Sequence, residues 1–145
     1  MRNYIALAAL LWSTTACSAM PAAGAKKAAV SEPAPAQVTG QWQFRVAGKD
    51  GVREPVVTLT KEPAKTCQSG DWLKAVVVSP GSLAFSQPAY TYSNGRLELL
   101  LSSELCDAYT SLVGNVSGGR FSGTHVSDGL FGSIEHGKVT GVRQP

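Results

Sequence analysis

Two of the three cysteines, Cys67 and Cys106, are the residues whose chemistry is easiest to anticipate. They lie roughly forty positions apart, whereas metal and redox sites usually bring their cysteines close together or beside a histidine. A bond between them would close a loop worth about 4 kcal/mol on the chain-entropy model, a large part of a small domain's stability. We therefore predict a structural disulfide between Cys67 and Cys106, formed in an oxidising compartment.

The two histidines, His125 and His136, are the other residues that could bind a metal ion. Their spacing of eleven residues matches neither HxH nor HxxxH, the patterns that place two ligands on one face of a single element. Asp128 and Glu135 lie near them in the sequence, but no ligand set follows from this arrangement. We expect structural or surface histidines, no metal site and no cofactor.

No pattern of nucleophiles and acids indicates catalysis. The segment Gly114–Gly118 contains a serine, but its spacing is not that of a Gly-x-Ser-x-Gly nucleophile elbow. The acidic residues fall in predicted turns or on polar strand faces, which gives no support for a pair of catalytic carboxylates. The sequence therefore predicts a protein that is not an enzyme.

Two aromatic residues adjoin the predicted disulfide, because Trp72 follows Cys67 and Tyr109 follows Cys106. A bond between the cysteines would bring both rings to one end of the domain, with the Asn94–Gly95 turn at the opposite end. Aromatic, loop-rich surfaces are typical of interfaces and pocket mouths, so Trp72 and Tyr109 are the candidate binding residues. Ordinary packing of both rings in the core is the alternative.

The elements that carry these residues follow an N-terminal segment with the features of an export signal. A positive charge at Arg2 precedes nine apolar residues, Tyr4–Trp12, and small residues come next. Nine residues rise only about 14 Å as a helix, about half of a bilayer's hydrocarbon core, so we expect no transmembrane anchor here. Residues 1–16 are therefore predicted to be a signal peptide.

The segment Thr15–Cys17 resembles the lipobox of bacterial lipoproteins, in which the cysteine is acylated and becomes the new N-terminus. The resemblance implies lipidation of Cys17 and leaves the other two cysteines as one pair. Cleavage without lipidation, after Ala19 or Ala25, is the alternative. The first hypothesis predicts an outer-membrane lipoprotein on the periplasmic side of the envelope, and the second a soluble periplasmic protein.

Residues 17–38 form the predicted linker, which is rich in alanine and proline and contains no aromatic residue. With little to bury, this segment is expected to be disordered and to hold the domain away from the membrane. An ordered N-terminal arm is the alternative, although Pro33 and Pro35 argue against a helix. The folded domain is expected over residues 39–145.

The net charge of +3 belongs mostly to residues outside this domain. Residues 39–145 contain ten Lys or Arg and nine Asp or Glu, and the two signs alternate along the chain. No basic cluster is present in the sequence, so neither nucleic acid nor an anionic membrane surface is indicated as a partner. The expected membrane contact is therefore the N-terminal lipid alone.

Polar and apolar residues alternate through most of the domain. Gln41–Val46 shows this period-two pattern, and Asn94–Gly95 is a strong hairpin signal. Further turns, such as those predicted at Gly118–Gly119 and His136–Gly137, divide the rest into short strands and extended segments, among them Leu83–Tyr92 and Leu130–Glu135. Short sequential connections favour antiparallel neighbours, so we predict an all-β fold, a small antiparallel up-and-down barrel of eight or nine short strands.

Gly40-x-Trp42 stands at the start of the first predicted strand, and Arg143 stands near the end of the last. This pattern resembles the calycin superfamily of lipocalin-like barrels. The resemblance implies that Trp42 packs across one barrel end beneath Arg143, in a cation–π lock between the first and last strands. The domain is shorter than a typical lipocalin, which leaves less room for a ligand cavity.

The segment Ser117–Phe121 resembles the Ser-Gly-x-Arg/Lys-Tyr loop of the membrane-bound lysozyme inhibitors, which are also small barrel lipoproteins. In that family the loop enters the enzyme's cleft, so the resemblance implies inhibitory roles for Ser117, Arg120 and Phe121. A plain turn is the alternative, because Ser-Gly-Gly is a favourable turn sequence.

Together these patterns favour a non-catalytic envelope lipoprotein domain that binds a small apolar ligand or a protein partner at its loop end. The first alternative is an inhibitor or immunity protein against a lysozyme-like wall-degrading enzyme. The second is a structural component of the envelope.

Overall fold

The structure, a computed structural model, describes residues 37–145, so the predicted signal peptide, Cys17 and nearly all of the predicted linker lie outside the described residues. Gln37 and Val38 are helical, and nine β-strands follow. The strands are β1 (Gly40–Gly48), β2 (Gly51–Arg53), β3 (Val56–Pro63), β4 (Leu73–Ser79), β5 (Ala89–Ser93), β6 (Arg96–Leu100), β7 (Ala108–Ser117), β8 (Arg120–Gly129) and β9 (Gly132–Arg143). Between residues 37 and 145, no helix is long and apolar enough to cross a membrane.

The nine strands form one antiparallel sheet that closes on itself. From β3 to β9 each strand pairs with the next along the chain. Strand β9 then returns to β1, from Trp42 opposite Arg143 to Gly48 opposite Gly137. The predicted all-β antiparallel barrel of eight or nine strands is therefore confirmed, and its sequential pairing is the order that short connections favour.

Two strands share the second position of the barrel, because the chain is interrupted at Glu54 and Pro55. Strand β2 pairs with the last residues of β1, and β3 pairs with the first. Proline has no N–H for the ladder, but the carbonyl of Pro55 accepts a hydrogen bond from the backbone N–H of Phe44 at 2.9 Å. The barrel therefore has eight positions built from nine strands.

The core follows from the alternation seen in the sequence, because one face of each strand points inward. Along β1, Trp42, Phe44 and Val46 are buried, and the residues between them are exposed. The rings of Trp42 and Phe44 stack with centroids 6.0 Å apart, and Phe44 meets Phe121 edge-on at 5.4 Å. Gly141 leaves space for these rings, since a Cβ there would stand 2.8 Å from the ring of Phe44.

Two predicted boundaries in the C-terminal half are wrong. The sequence predicts a turn at His136–Gly137, but β9 runs through these residues with a register shift against β8 after His125. A β-bulge accommodates the extra residue without ending the strand. Leu130 and Phe131, which the alternation assigns to the start of a strand, instead form the turn between β8 and β9.

Strand directions define two ends of the barrel. The proximal end contains the start of β1 at Gly40, the end of β9 at Arg143 and the turns at Asn94–Gly95 and Gly118–Gly119. The distal end contains the β1–β2 hairpin, the β6–β7 connection and the β8–β9 turn. The described chain enters β1 at the proximal end.

The junction between β4 and β5 is the least paired in the barrel. These strands pair only at Leu73 with Tyr90 and at Lys74 with Ala89, whereas β8 and β9 pair over ten positions. The predicted extended segment from Leu83 to Tyr92 becomes a strand only at Ala89, and residues 80–88 are irregular. The buried Leu83 nevertheless packs into the core from this irregular segment.

Candidate binding surface at the distal end

The sulfur atoms of Cys67 and Cys106 lie 2.02 Å apart, at the distance of a disulfide, which agrees with the predicted pairing. The predicted location of the bond at one barrel end is wrong. Cys67 belongs to the β3–β4 connection, which starts from the proximal end, whereas Cys106 belongs to the distal β6–β7 connection. The first connection folds back along the outer wall of the barrel, where the N–H of Cys67 donates to the carbonyl of Ser103 at 3.4 Å.

Trp72 and Tyr109, the predicted binding residues, do come together in a small cluster with Ala89 and Leu100. The indole of Trp72 is only 6% exposed. The hydroxyl of Tyr109 donates a hydrogen bond to the carbonyl of Cys106. Both rings therefore pack the folded-back β3–β4 connection against the barrel, as the core-packing alternative anticipates, and little of Trp72 is left for a partner.

The predicted contrast between the Trp72 end and the Asn94–Gly95 end is also wrong. Antiparallel neighbours reverse direction at every step, so β3 and β5 run the same way. The connection that carries Trp72 and the Asn94–Gly95 turn therefore both leave the proximal end of the barrel. The error arises because a disulfide between two loops does not require that they leave the same end.

Trp42 and Arg143 lie directly opposite each other on β1 and β9, so their side chains leave the same face of the sheet. The Nε1–H of Trp42 donates to the carbonyl of Val38 at 2.7 Å, and the Arg143 Nη1 donates to the carbonyl of Gln37 at 3.4 Å. A Cβ at Gly40 would lie 3.2 Å from the Arg143 Nε. Val38, the last residue of the predicted linker, is fully buried at this closed end. The cation–π contact itself stays a prediction.

The segment Ser117–Phe121 is a tight hairpin at the proximal end. Gly118 and Gly119 form its turn with φ of 55° and 72°, which explains two glycines in succession. Ser117 and Arg120 flank this turn as paired, exposed residues, whereas Phe121 is 2% exposed and packs against Phe44. In this conformation Phe121 belongs to the core and is not available to an enzyme's cleft.

His125 is an unusual residue in the distal part of the barrel. It lies opposite the core residue Leu112, so its ring points inward, and it is 6% exposed. Neither ring nitrogen has a hydrogen-bond partner. Burial lowers the pKa of His125 first, and the positive charges of His136 and Arg53 lower it further. The folded protein therefore favours a neutral ring with one unsatisfied donor and one unsatisfied acceptor.

The β9 bulge places a second histidine beside His125. The ring centroids of His125 and His136 are 5.0 Å apart, and the Nε2 of His136 lies 2.8 Å from the hydroxyl oxygen of Ser127. Both histidines line an open cavity of about 360 Å³ at the distal mouth of the barrel. In the part of the chain from residue 37 onward, no three His, Cys, Asp or Glu side chains are placed together to hold a metal ion.

Charged and apolar side chains complete this cavity, which we call the distal cavity. Lys49, Asp50, Arg53, Glu135 and Ile134 line it together with the histidines. The Arg53 Nη2 forms an ion pair with the Asp50 Oδ2 at 3.3 Å. The Arg53 side chain is 29% exposed and that of Asp50 82%, so the cation is the more enclosed member of the pair.

Large apolar side chains project from the distal connections. Phe131 is fully exposed and Leu130 is 84% exposed at the β8–β9 turn, and Ile134 is 62% exposed on the following strand. Val52 in the neighbouring β1–β2 hairpin and Leu105 in the β6–β7 connection are also exposed. The distal end therefore combines a polar cavity with an apolar tip, which is formed by Leu130 and Phe131.

The sequence contains a signal for this tip, but period-two alternation hides it. Asp128-Gly129-Leu130-Phe131-Gly132 places two bulky apolar residues between two glycines, at positions where a hairpin turn usually has small or polar residues. Counting Leu130 and Phe131 as strand residues assigns them to a buried face that does not exist. The orphan His125 has no comparable signal, since its burial depends on partners far away in the sequence.

Three concavities are larger than the distal cavity. They measure about 600 Å³ between Arg45 and Arg120, about 510 Å³ between Lys74 and Pro88, and about 400 Å³ between Asp71 and Ser93. Among residues 37–145, the only buried side-chain nitrogen or oxygen atoms without a hydrogen-bond partner are those of His125. The distal cavity is therefore the concavity with an unmet chemical requirement.

Comparisons of this chain with protein-family models, with curated proteins and with solved structures found no match.

Proposed function

We propose that residues 39–145 form a non-catalytic, calycin-like binding domain of an exported envelope lipoprotein, and that its partner is a protein bound at the distal end. The observation that carries this proposal is the apolar tip, where Phe131 is fully exposed beside the 84% exposed Leu130. Exposed apolar patches with polar surroundings mark interaction sites more often than chance. Phenylalanine is also enriched at protein interfaces.

A protein partner accounts for the distal end better than a small apolar ligand held inside the barrel. The interior is occupied by side chains such as Trp42, Phe44 and Tyr90, all of which are fully buried. A small apolar ligand would need these rings to move, at the cost of their packing energy. A protein, in contrast, can cover a convex tip and the adjoining cavity together.

The envelope setting rests on the lipobox resemblance at Thr15–Cys17 and on the cysteine pair, which suits an oxidising compartment. The described chain enters the barrel at its proximal end, opposite the distal tip. Calycin-like membership is supported by the eight barrel positions and by Trp42 lying opposite Arg143.

The inhibitor hypothesis has less support than the distal-end proposal. Of its three residues, Phe121 is buried in the core, and only Ser117 and Arg120 are exposed beside a two-residue turn. A turn this short offers little surface for insertion into an enzyme's cleft. A structural role without a partner would leave the apolar tip exposed to no purpose.

Photo-crosslinking in cells that make the protein tests the proposal. A benzophenone amino acid replaces Phe131 in one variant and Ser117 in another, since both positions are exposed and lie at opposite ends of the barrel. A discrete protein adduct from position 131 and none from 117 is the expected result. Adducts from 117 alone would favour the inhibitor hypothesis, and adducts from neither position would refute partner binding at the tip.

A further inference from the structure

Both ring nitrogens of the buried His125 lack a hydrogen-bond partner. Buried polar groups in folded proteins almost always have partners, and an unsatisfied one destabilises the fold. His125 is 6% exposed with no partner at either nitrogen, and it lines the distal cavity. The cavity is thus the direction from which a ligand atom could reach this ring.

The cavity walls determine which chemistry would suit that ligand. The cationic or protonatable groups are Lys49 from the β1–β2 hairpin, Arg53 from β2 and His136 from β9. The carboxylates are Asp50, which is 82% exposed and paired with Arg53, and the exposed Glu135. The two charge interactions that lower the pKa of His125 are those with His136 and Arg53, and both of these residues line the cavity.

We propose that the distal cavity binds an oxyanion group, a carboxylate or a phosphate, through His125, His136 and Arg53. A carboxylate or phosphate oxygen accepts the N–H of His125 and charge-assisted bonds from the guanidinium of Arg53. Its negative charge also offsets the unfavourable charge effect of Arg53 and His136 on a protonated His125. The carboxylates Asp50 and Glu135 act against this binding, and they do so from the solvent side.

This inference adds a ligand class to the proposed distal surface, and it rests on the proposed function only for the identity of the molecule that carries the oxyanion. Its test needs no partner protein. Crosslinking from position 131 could therefore succeed while oxyanion binding fails, or the reverse.

Binding of an oxyanion should be linked to a proton. The bound anion favours the charged imidazolium, so it should raise the pKa of His125 towards or above its ordinary value. Linkage then requires that affinity increase as pH falls through the range in which His125 titrates. A divalent metal at the same rings would have the opposite effect, because metal ions bind the deprotonated ring.

The experiment is an NMR titration of the full chain carrying Cys17→Ser, with the histidine ring signals as the readout. Inorganic phosphate and sodium acetate are the two probes, and sodium chloride at matched ionic strength is the reference. We expect saturable shifts of the His125 and His136 signals with phosphate, acetate or both, and an upward shift of the His125 pKa. The stronger of the two probes identifies phosphate or carboxylate as the preferred group.

Two variants separate binding from folding. Arg53→Gln should weaken binding about tenfold, the loss of one charge-assisted hydrogen bond, while Arg96→Gln at the exposed proximal start of β6 should leave it unchanged. His125→Leu should abolish the saturable response of the remaining histidine in a protein that stays folded. Three results would each overturn the proposal. The first is no saturable shift beyond the chloride reference, and the second is binding by Arg53→Gln equal to that of the wild type. The third is a response to Zn²⁺ alone with a lowered pKa of His125.

Discussion

The two ends of this barrel differ in how far their polar groups are hydrogen-bonded and their apolar groups are buried. At the proximal end, the Trp42 indole donates to a backbone carbonyl at 2.7 Å beneath strands that meet in register. At the distal end, His125 is buried without a partner, and Phe131 is fully exposed. Both ends belong to the same sheet, and the register shift between β8 and β9 lies towards the distal one.

The difference teaches that the contacts that close the barrel lie at one end, whereas the surface we propose for recognition lies at the other. Complete burial and hydrogen bonding at the proximal end close the first strand onto the last. Unsatisfied groups at the distal end cost free energy in the isolated protein and are retained where a ligand or partner could satisfy them. Substitutions at the two ends should therefore have opposite or unequal effects on the free energy of unfolding.

The largest expected effect is at the proximal end, with Trp42→Ala. This change removes a fully buried ring and its hydrogen bond to Val38, and should reduce the free energy of unfolding by about 3–5 kcal/mol. Arg143→Ala is the matched control, because it keeps the ring and loses one long hydrogen bond, so about 1 kcal/mol is expected. Urea unfolding followed by far-UV circular dichroism measures both, and an unchanged midpoint for Trp42→Ala would contradict the closed proximal end.

Removing the disulfide should have the next largest effect, because the bond ties a proximal connection to a distal one. The two cysteines are separated by 39 residues, and the double variant Cys67→Ala/Cys106→Ala should lose about 2–4 kcal/mol. Amide exchange should increase mainly in residues 64–72 and in the poorly paired β4–β5 junction. Uniform exchange throughout the barrel would show that the bond stabilises the fold as a whole and does not hold the loop locally.

The disulfide also illustrates how far the sequence alone can lead. Alternation in segments such as Gln41–Val46 predicts strands and an antiparallel barrel because inward and outward faces differ in polarity at every residue. The pairing of Cys67 with Cys106 follows from the odd cysteine count once the lipobox resemblance assigns Cys17 to a lipid. Their location on the side of the barrel does not follow, because it depends on how far a loop folds back along the wall, which no local pattern encodes.

The candidate site was less accessible to sequence reasoning than the fold. Trp72 and Tyr109 attract notice as aromatic loop residues, yet the folded-back connection buries one and packs the other. The distal cavity depends on a bulge that brings His136 beside His125, and bulges shift register without a distinct sequence pattern. Leu130 and Phe131 at the β8–β9 turn do have a local signal, the flanking glycines, but the alternation assigned both residues to a strand.

The third prediction reverses the sign of the first. His125→Leu replaces an unsatisfied buried polar ring with an apolar side chain, so at pH 7 it should increase the free energy of unfolding by about 1 kcal/mol. His136→Gln, at an exposed position, should change stability by less than about 0.5 kcal/mol. Urea unfolding at pH 7 measures both variants. A clear loss of stability in His125→Leu would show that the ring is satisfied in solution.

The same residue should make stability depend on pH. The folded-state pKa of His125 lies below its unfolded value of about 6.5, so as pH falls the unfolded chain binds this proton first. Stability should therefore be fully present above about pH 6.5 and decrease as pH falls through the folded-state pKa. His125→Leu should lack this decrease below about pH 6.5. Equal pH profiles for the wild type and His125→Leu would rule out this titration.

The smallest expected effect on stability belongs to the apolar tip, where Phe131→Ser should change the free energy of unfolding by less than about 0.5 kcal/mol. The ring is fully exposed, so its removal takes no apolar area out of the core. Urea unfolding of the full chain at two protein concentrations measures this, with the buried Phe121→Ser as the contrasting variant. A loss above about 1 kcal/mol would mean that the ring is already covered in the protein. The cover would be a second copy if the loss grows with protein concentration, and the chain's own N-terminal segment if it does not. The tip would be assigned to recognition alone by two results together. Phe131→Ser would lose negligible stability, and it would no longer capture the partner that the benzophenone variant at position 131 crosslinks.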